Sequence, residues 1–286
     1  MASTETTTSV LDDMLVPRGS ELSSRLMRGI KSTLYTWPVP TRRIELADGE
    51  LLHQPGATDG RVYLIENGAI CLEHYSPTGR RTILDVLSAN EYFGEDSLPG
   101  MPSQYTPAAI TPTILIAIES SVLHSLLREA NVLDVWQHSQ ILKARRHRSL
   151  LLQHVTSDSE ARLAMRLLDL TQSFGTRTGQ DIQIGLKLRH EDYAAMIGTT
   201  RSRVGLFLQR FTDRKMIRRA SCGAIVVNPR LIVGYIMERM GLRPADRPAR
   251  PRPPASACDH DGPQAESARF TAGRSAPRPA PRAPRW

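Results

Sequence analysis

At Ile118 the chain changes its hydrophobic period, and that switch confines it to a β-domain followed by helices. Before it, short runs rich in β-branched residues alternate with turn signals. They are Arg61-Val-Tyr-Leu-Ile-Glu66, Ala69-Ile-Cys-Leu-Glu73, Thr82-Ile-Leu-Asp-Val-Leu87 and Ile114-Leu-Ile-Ala-Ile118. Glu66-Asn67-Gly68-Ala69 carries an Asn-Gly hairpin signal, and Ser76-Pro77-Thr78-Gly79 is a second turn. With no helical pattern between them, these runs predict an antiparallel sandwich or roll.

Helical spacing then takes over. Ser120 to Arg128 predicts a short helix and Asn131 to Val155 a long one, along which Ile141, Ala144, Leu151 and Val155 form a seam interrupted by Arg148. Such a seam suits a partner helix, and burial within the chain's own domain is the alternative. Ser159 to Phe174 is amphipathic and runs into a Gly-rich loop. Helices over Glu191–Ile197 and Arg201–Lys215 follow, then a hairpin over Ile217–Val227 turning at Ser221-Cys222-Gly223. Asn228-Pro229 reads as the cap and first residue of a last helix, Arg230–Arg239. Upstream of the strands, Leu22, Leu26 and Ile30 predict one short helix between Glu21 and Thr33.

Charge is unevenly placed. The chain of 286 residues has a formal charge of +8. Residues 186–219 hold nine Lys/Arg against Glu191, Asp192 and Asp213, and residues 241–286 hold nine arginines against four acids. The rest of the chain is therefore slightly acidic. A positive charge packed into one 34-residue stretch and a tail points to a local polyanion site. Aromatics at 5% leave little for stacking single strands. Ten of the 46 tail residues are proline, which predicts disorder from Gly241 onward.

Other chemistries find little support. Cys71, Cys222 and Cys258 are far apart and form no CxxC, which argues against a disulfide scaffold or a zinc ribbon. His53 and His74 do not make a metal site, and no catalytic residue is assigned. No signal peptide or membrane-spanning run is visible, so a cytoplasmic protein without membrane contact is expected.

The stretch Leu188 to Phe211 has the layout of a helix-turn-helix. Ala194, Ala195, Met196 and Ile197 supply small and apolar contacts, and Gly198 permits the tight turn. Thr200 can cap the second helix, whose Val204, Phe207, Leu208 and Phe211 face inward at 3/4 spacing. The opposite face presents Thr199, Arg201, Ser202, Arg203 and Arg210. Arginines in the first turn of such a helix can reach guanine O6 and N7 in the major groove. Lys187, Arg189, Arg214 and Lys215 can position the unit on phosphates, with the following hairpin as a wing.

Two motifs, Tyr63-Leu-Ile-Glu-Asn-Gly-Ala-Ile-Cys-Leu72 with Tyr92-Phe-Gly-Glu-Asp-Ser-Leu98 and Ile197-Gly-Thr-Thr-Arg-Ser-Arg-Val204, resemble those of the Crp/Fnr, or catabolite activator, regulators. The resemblance covers about residues 40–238. It implies an α+β fold with an N-terminal cyclic-nucleotide-binding-like β-roll, a long dimerisation helix and a C-terminal winged helix-turn-helix. The implied boundaries are a polar helical segment 1–38, the roll 39–119, the dimerisation segment 120–156, the winged helix 157–240 and the tail 241–286. It implies a homodimer on double-stranded DNA, with RNA polymerase as a further partner.

This chain also departs from the pattern. In nucleotide-binding members the Glu of the Gly-Glu pair takes a ribose hydroxyl, and an Arg ten residues later pairs with the cyclic phosphate. Here Gly94 and Glu95 match, but the tenth position is Tyr105, followed by Thr106. A tyrosine lacks the charged, forked donor that grips a phosphate. These four residues make the candidate effector pocket, a cyclic nucleotide is doubtful there, and no cofactor is assigned. In the recognition helix, Arg201 matches, while Ser202 and Leu206 stand where Glu and a second Arg are usual.

Overall fold

The computed structural model describes residues 20–37, 39–96, 101–221 and 223–241. Helix α1 (Ser20–Thr36) runs one turn past its sequence reading and leads into seven strands. These are β1 (Thr41–Leu46), β2 (Arg61–Asn67), β3 (Ala69–Tyr75), β4 (Arg81–Ser88), β5 (Tyr92–Phe93), β6 (Thr106–Ala109) and β7 (Thr113–Glu119). They form two antiparallel sheets, ordered β1-β7-β2-β5 and β4-β3-β6. Tyr63, Ile65, Ile70, Leu87, Phe93 and Leu115 fill the space between them. Each such side chain contributes about 1.5–3 kcal/mol by leaving water.

The Ser76–Gly79 turn does join a hairpin, β3 to β4, with Tyr75 opposite Arg81. Asn67-Gly68 does not. Strands β2 and β3 belong to different sheets, so the dipeptide carries the chain from one layer to the other. Gly68 has φ +89°, and a Cβ there would lie 2.4 Å from the Pro112 carbonyl oxygen. The local signal marked a left-handed turn correctly, but which strands pair was decided by long-range packing.

Helices α2 (Ser120–Glu129) and α3 (Leu133–Thr156) follow. Leu26, Met27 and Ile30 of α1 pack with Leu123, Leu126, Leu127 and Val135 against the outside of the first sheet. Along most of its length α3 is inside out. Its buried residues after Val135 are Ser139, Arg146, Ser149 and Gln153. Its outward side carries Ile141, Leu151, Leu152 and Val155, at 57%, 65%, 57% and 77% exposure, and Ala144 is exposed as well. The seam is thus free of the chain's own core.

The last unit holds α4 (Ser159–Phe174), β8 (Gly175–Thr178), β9 (Asp181–Ile184), α5 (His190–Ile197), α6 (Arg201–Asp213), β10 (Ile217–Arg219), β11 (Ile225–Val227) and α7 (Pro229–Arg239). The Gly-rich loop read after Phe174 is in fact the hairpin β8–β9, which joins the expected hairpin in one sheet ordered β10-β11-β9-β8. Helix α6 ends at Asp213, two residues early, because Lys215 takes φ 57° and turns the chain into β10. Asn228 caps α7 as expected, accepting from the Leu231 N–H at 3.1 Å. Cys71, Ile83 and Val86 of the roll share a core with Leu163, Leu167, Tyr193 and Ile197, so the winged unit is docked on β3 and β4. No helix among the described residues is long and apolar enough to cross a membrane. The predicted disordered tail lies, after Gly241, outside the described residues, as do Cys222 and Cys258.

Candidate nucleic-acid interface

The reading unit is built from local rules that the sequence states openly. The Asp192 carboxylate accepts from the Arg189 backbone N–H at 2.7 Å, closing the start of α5. Gly198 ends that helix at φ +67°, with its N–H on the Ala194 carbonyl. Thr200 then caps α6, its Oγ1 accepting from the Arg203 N–H at 3.4 Å. Val204, Phe207, Leu208 and Phe211 are buried as their spacing predicts, against Tyr193, Met196 and Ile197.

That burial turns the opposite side of α6 outward. Arg201, Ser202, Arg203 and Arg210 are exposed, together with Lys187, Arg189 and Thr200, and Thr199 is half-buried. Arg201, Ser202, Arg203 and Arg210 thus share α6, and Thr199 and Thr200 the turn before it, whereas Lys187 and Arg189 precede α5 and line a cleft with Glu73 and Arg81 of the roll. Their tethers differ. Arg201 Nε stands 3.5 Å from Glu191 Oε1 in a solvated pair that water and salt weaken. Arg203 lies 5.6 Å over the Phe207 ring. Arg210 is the more firmly held: its Nη1 donates at 3.0 Å to Glu160 at the start of α4.

Sequence reasoning missed the wing's share. Arg219 of β10 donates at 3.3 Å to His190 Nε2, at the first turn of α5. Burial, then the charges of Arg219 and Arg201, lower the His190 pKa, which keeps the ring a neutral acceptor. Arg218 stands 3.4 Å from Asp181 across the sheet. No spacing rule links His190 to Arg219, because the two meet only once the wing folds back on α5.

In the roll, a cavity of about 300 Å³ lies between the second sheet and α3. Glu95 and Tyr105 both line it, with Asp85, Asp96, Lys143 and His147. Lys143 donates to Glu95 Oε1 at 2.6 Å and to the Tyr92 carbonyl at 2.6 Å, so a protein cation already sits on one oxygen of the carboxylate that a ligand hydroxyl would use. The Tyr105 hydroxyl accepts from the Gly94 N–H at 3.1 Å and donates to Asp96 at 2.9 Å. Burial first, and then Asp96, raise its pKa, so the phenol stays protonated. Gly94 itself has φ +89° and no room for a Cβ, which would meet the Arg61 carbonyl oxygen at 2.4 Å. Its presence is explained by the turn. Thr106 is buried in β6 and does not line the cavity.

The comparisons with known proteins agree with this layout. Residues 43–130 match the cyclic nucleotide-binding domain family and residues 161–231 the Crp-like helix-turn-helix domain family. The chain is 30% identical over 198 residues to the global nitrogen regulator of Synechococcus elongatus, covering 67% of this chain and 88% of that one. It is 26% identical over 182 residues to the CRP-like cAMP-activated global transcriptional regulator of Mycobacterium tuberculosis, covering 61% and 79%. A CRP/FNR-family transcriptional regulator from Thermus thermophilus shares the fold with a TM-score of 0.57 at 22% identity, over 69% of this chain and all of that one. A cyclic nucleotide-binding domain protein from Listeria monocytogenes does so at 0.60 and 15%, over 72% and 98%.

Proposed function

The chain belongs to the Crp/Fnr family of DNA-binding transcription regulators, and on that footing we propose that it reads a palindromic operator as a homodimer, without a cyclic nucleotide. The observation that carries the reading is the pairing of two faces. An exposed apolar seam on α3 can join two copies, and an arginine-edged outer face on α6 can enter a major groove. In this reading Arg201, Ser202 and Arg203 reach base edges, Thr199, Thr200, Lys187 and Arg189 hold the adjacent phosphates, and Arg210 braces the helix through Glu160. The dimer works in the cytoplasm, where RNA polymerase is its partner on the promoter.

The effector part of the proposal rests on Tyr105 and Lys143. The mycobacterial relative is described as cAMP-activated. Here the position for a phosphate-gripping arginine holds a neutral phenol bonded to Asp96, and Glu95 is engaged by Lys143. Any occupant of the cavity is therefore less anionic than a cyclic nucleotide.

Selection of duplexes from a random library with the purified protein tests the function. The expected product is an inverted repeat with half-site centres about 34 Å apart. Arg201→Ala should lose about 1–3 kcal/mol on that duplex while relaxing base preference at one position in each half. Recovery of no enriched sequence, or of an asymmetric one, overturns the proposal.

A further inference from the structure

The middle of the outward face of α6 is not basic. At roughly 100° per residue, the buried stripe of Val204, Phe207, Leu208 and Phe211 leaves Ser202, Leu206 and Gln209 on the opposite ridge. Arg201 lies to one side of this ridge, and Arg203 and Arg210 to the other. The part of the helix that would go deepest into a groove therefore has a leucine at its centre, 50% exposed. A single exposed leucine on a protein surface needs no explanation. This one differs by its position, because docking would take it out of water against whatever lies beneath it.

Resting on the DNA-binding reading above, we infer that Leu206 is a specificity-determining residue that packs on the C5-methyl group of a thymine in each half-site. The chemistry leaves few choices. Leucine has no donor for a phosphate or for purine N7 and O6, and placed against a polar base edge it would strip that edge of water without replacing the lost bonds. Along the floor of the major groove the thymine methyl is the main apolar group. Gly205 precedes Leu206 without a side chain, and Ser202 one turn earlier is short, so neither holds Leu206 away from the bases.

The test uses the duplex selected by the wild-type protein. Each thymine is replaced in turn by deoxyuridine, which removes the methyl and keeps every hydrogen-bonding group. Wild-type protein should lose about fourfold in affinity per methyl at one thymine position in each half-site, the worth of one buried carbon. It should be indifferent to the replacement elsewhere. Leu206→Ala should bind thymine and deoxyuridine duplexes alike at that position, with an unchanged melting temperature because the side chain is outside the core. Arg201→Ala should bind more weakly and keep the thymine preference.

Wild-type protein insensitive to every replacement overturns the inference while leaving the DNA-binding reading intact. So does a Leu206→Ala variant that keeps the full sensitivity. Failure of the wild type to select any duplex overturns both.

Discussion

Arg146 Nη2 stands 3.0 Å from Asp85 Oδ1 and 2.6 Å from Asp169 Oδ2, so one guanidinium on α3 spans a strand of the roll and the first helix of the winged unit. All three residues are buried, and Arg166 adds a fourth charge at 3.1 Å from Asp169. Asp85 also lines the roll cavity. A single side chain therefore separates the wall of that cavity from the domain that carries α6. Buried pairs of this kind are weak contributors to net stability when set against apolar packing, but removing one partner alone is costly because it strands the other charge.

Arg146→Met should consequently destabilise the fold by about 3–5 kcal/mol, since it takes a bidentate cation from two buried carboxylates. Arg146→Met combined with Asp85→Leu should recover a good part of that loss, because one of the two charges is gone with its partner. Denaturant unfolding of the two variants checks this. Equal loss in both would show that packing around Arg146 matters more than its charge.

Dimer formation should depend on the outward face of α3. Leu151→Glu and Val155→Glu place charges on a seam that touches none of the chain's own core, so the monomer fold should survive. Sedimentation is expected to give a dimer for the wild type and a monomer for the double variant at micromolar concentration. A wild-type monomer, free and on DNA, would remove the seam as an interface.

The sequence was most legible where the physics is local. Caps, the Gly198 turn and the 3/4 spacing of Val204 to Phe211 act within one or two turns, and each appears at the residues expected. It was less legible where contacts span the chain. Arg81, which holds Glu73 and also reaches Asp192 111 residues away, and Arg146 carry no local signal, because only the fold brings their acids to them. Lys143 gave no hint that it would enter the pocket of Glu95, and the α3 seam left both a partner helix and the chain's own core open. In the hairpin β8–β9 the Gly-Thr-Arg-Thr of β8 carries no apolar alternation, whereas Ile182 and Ile184 of β9 do alternate with Asp181 and Gln183, a strand signal that the loop reading passes over. Thr106 was placed in the pocket by counting along the chain, but β6 turns it into the sheet.

Stability should fall as the solution is acidified below neutrality. Burial, then Arg219 and Arg201, lower the pKa of His190, and burial, then Arg162 and Arg166, lower that of His154. Both rings are neutral in the native state, while in the unfolded chain they take up protons near pH 6.5. The unfolded state thus binds more protons as pH falls, and the stabilisation present above about pH 6.5 is lost through the lower native pKa values. A variant with both His154→Gln and His190→Gln should show a flatter melting temperature between about pH 7.5 and 5.5. An unchanged slope would place the titration elsewhere.

The last expectation concerns the roll. Cyclic AMP at millimolar concentration should neither raise the melting temperature nor alter operator affinity, because a ligand that binds only the folded state must stabilise it. Tyr105→Phe removes the hydroxyl that bridges the Gly94 N–H and Asp96, and should cost about 1 kcal/mol of stability. Tyr105→Arg would place a forked cation between Asp96 and Glu95, the arrangement a phosphate would have to displace. Alone it should still bind cyclic AMP poorly, since Lys143 continues to occupy Glu95. Adding Lys143→Thr frees that carboxylate for a ribose hydroxyl, and only the double variant should gain a calorimetric signal with the nucleotide. A micromolar dissociation constant for the wild type would mean that the cavity recognises the phosphate by groups other than residue 105.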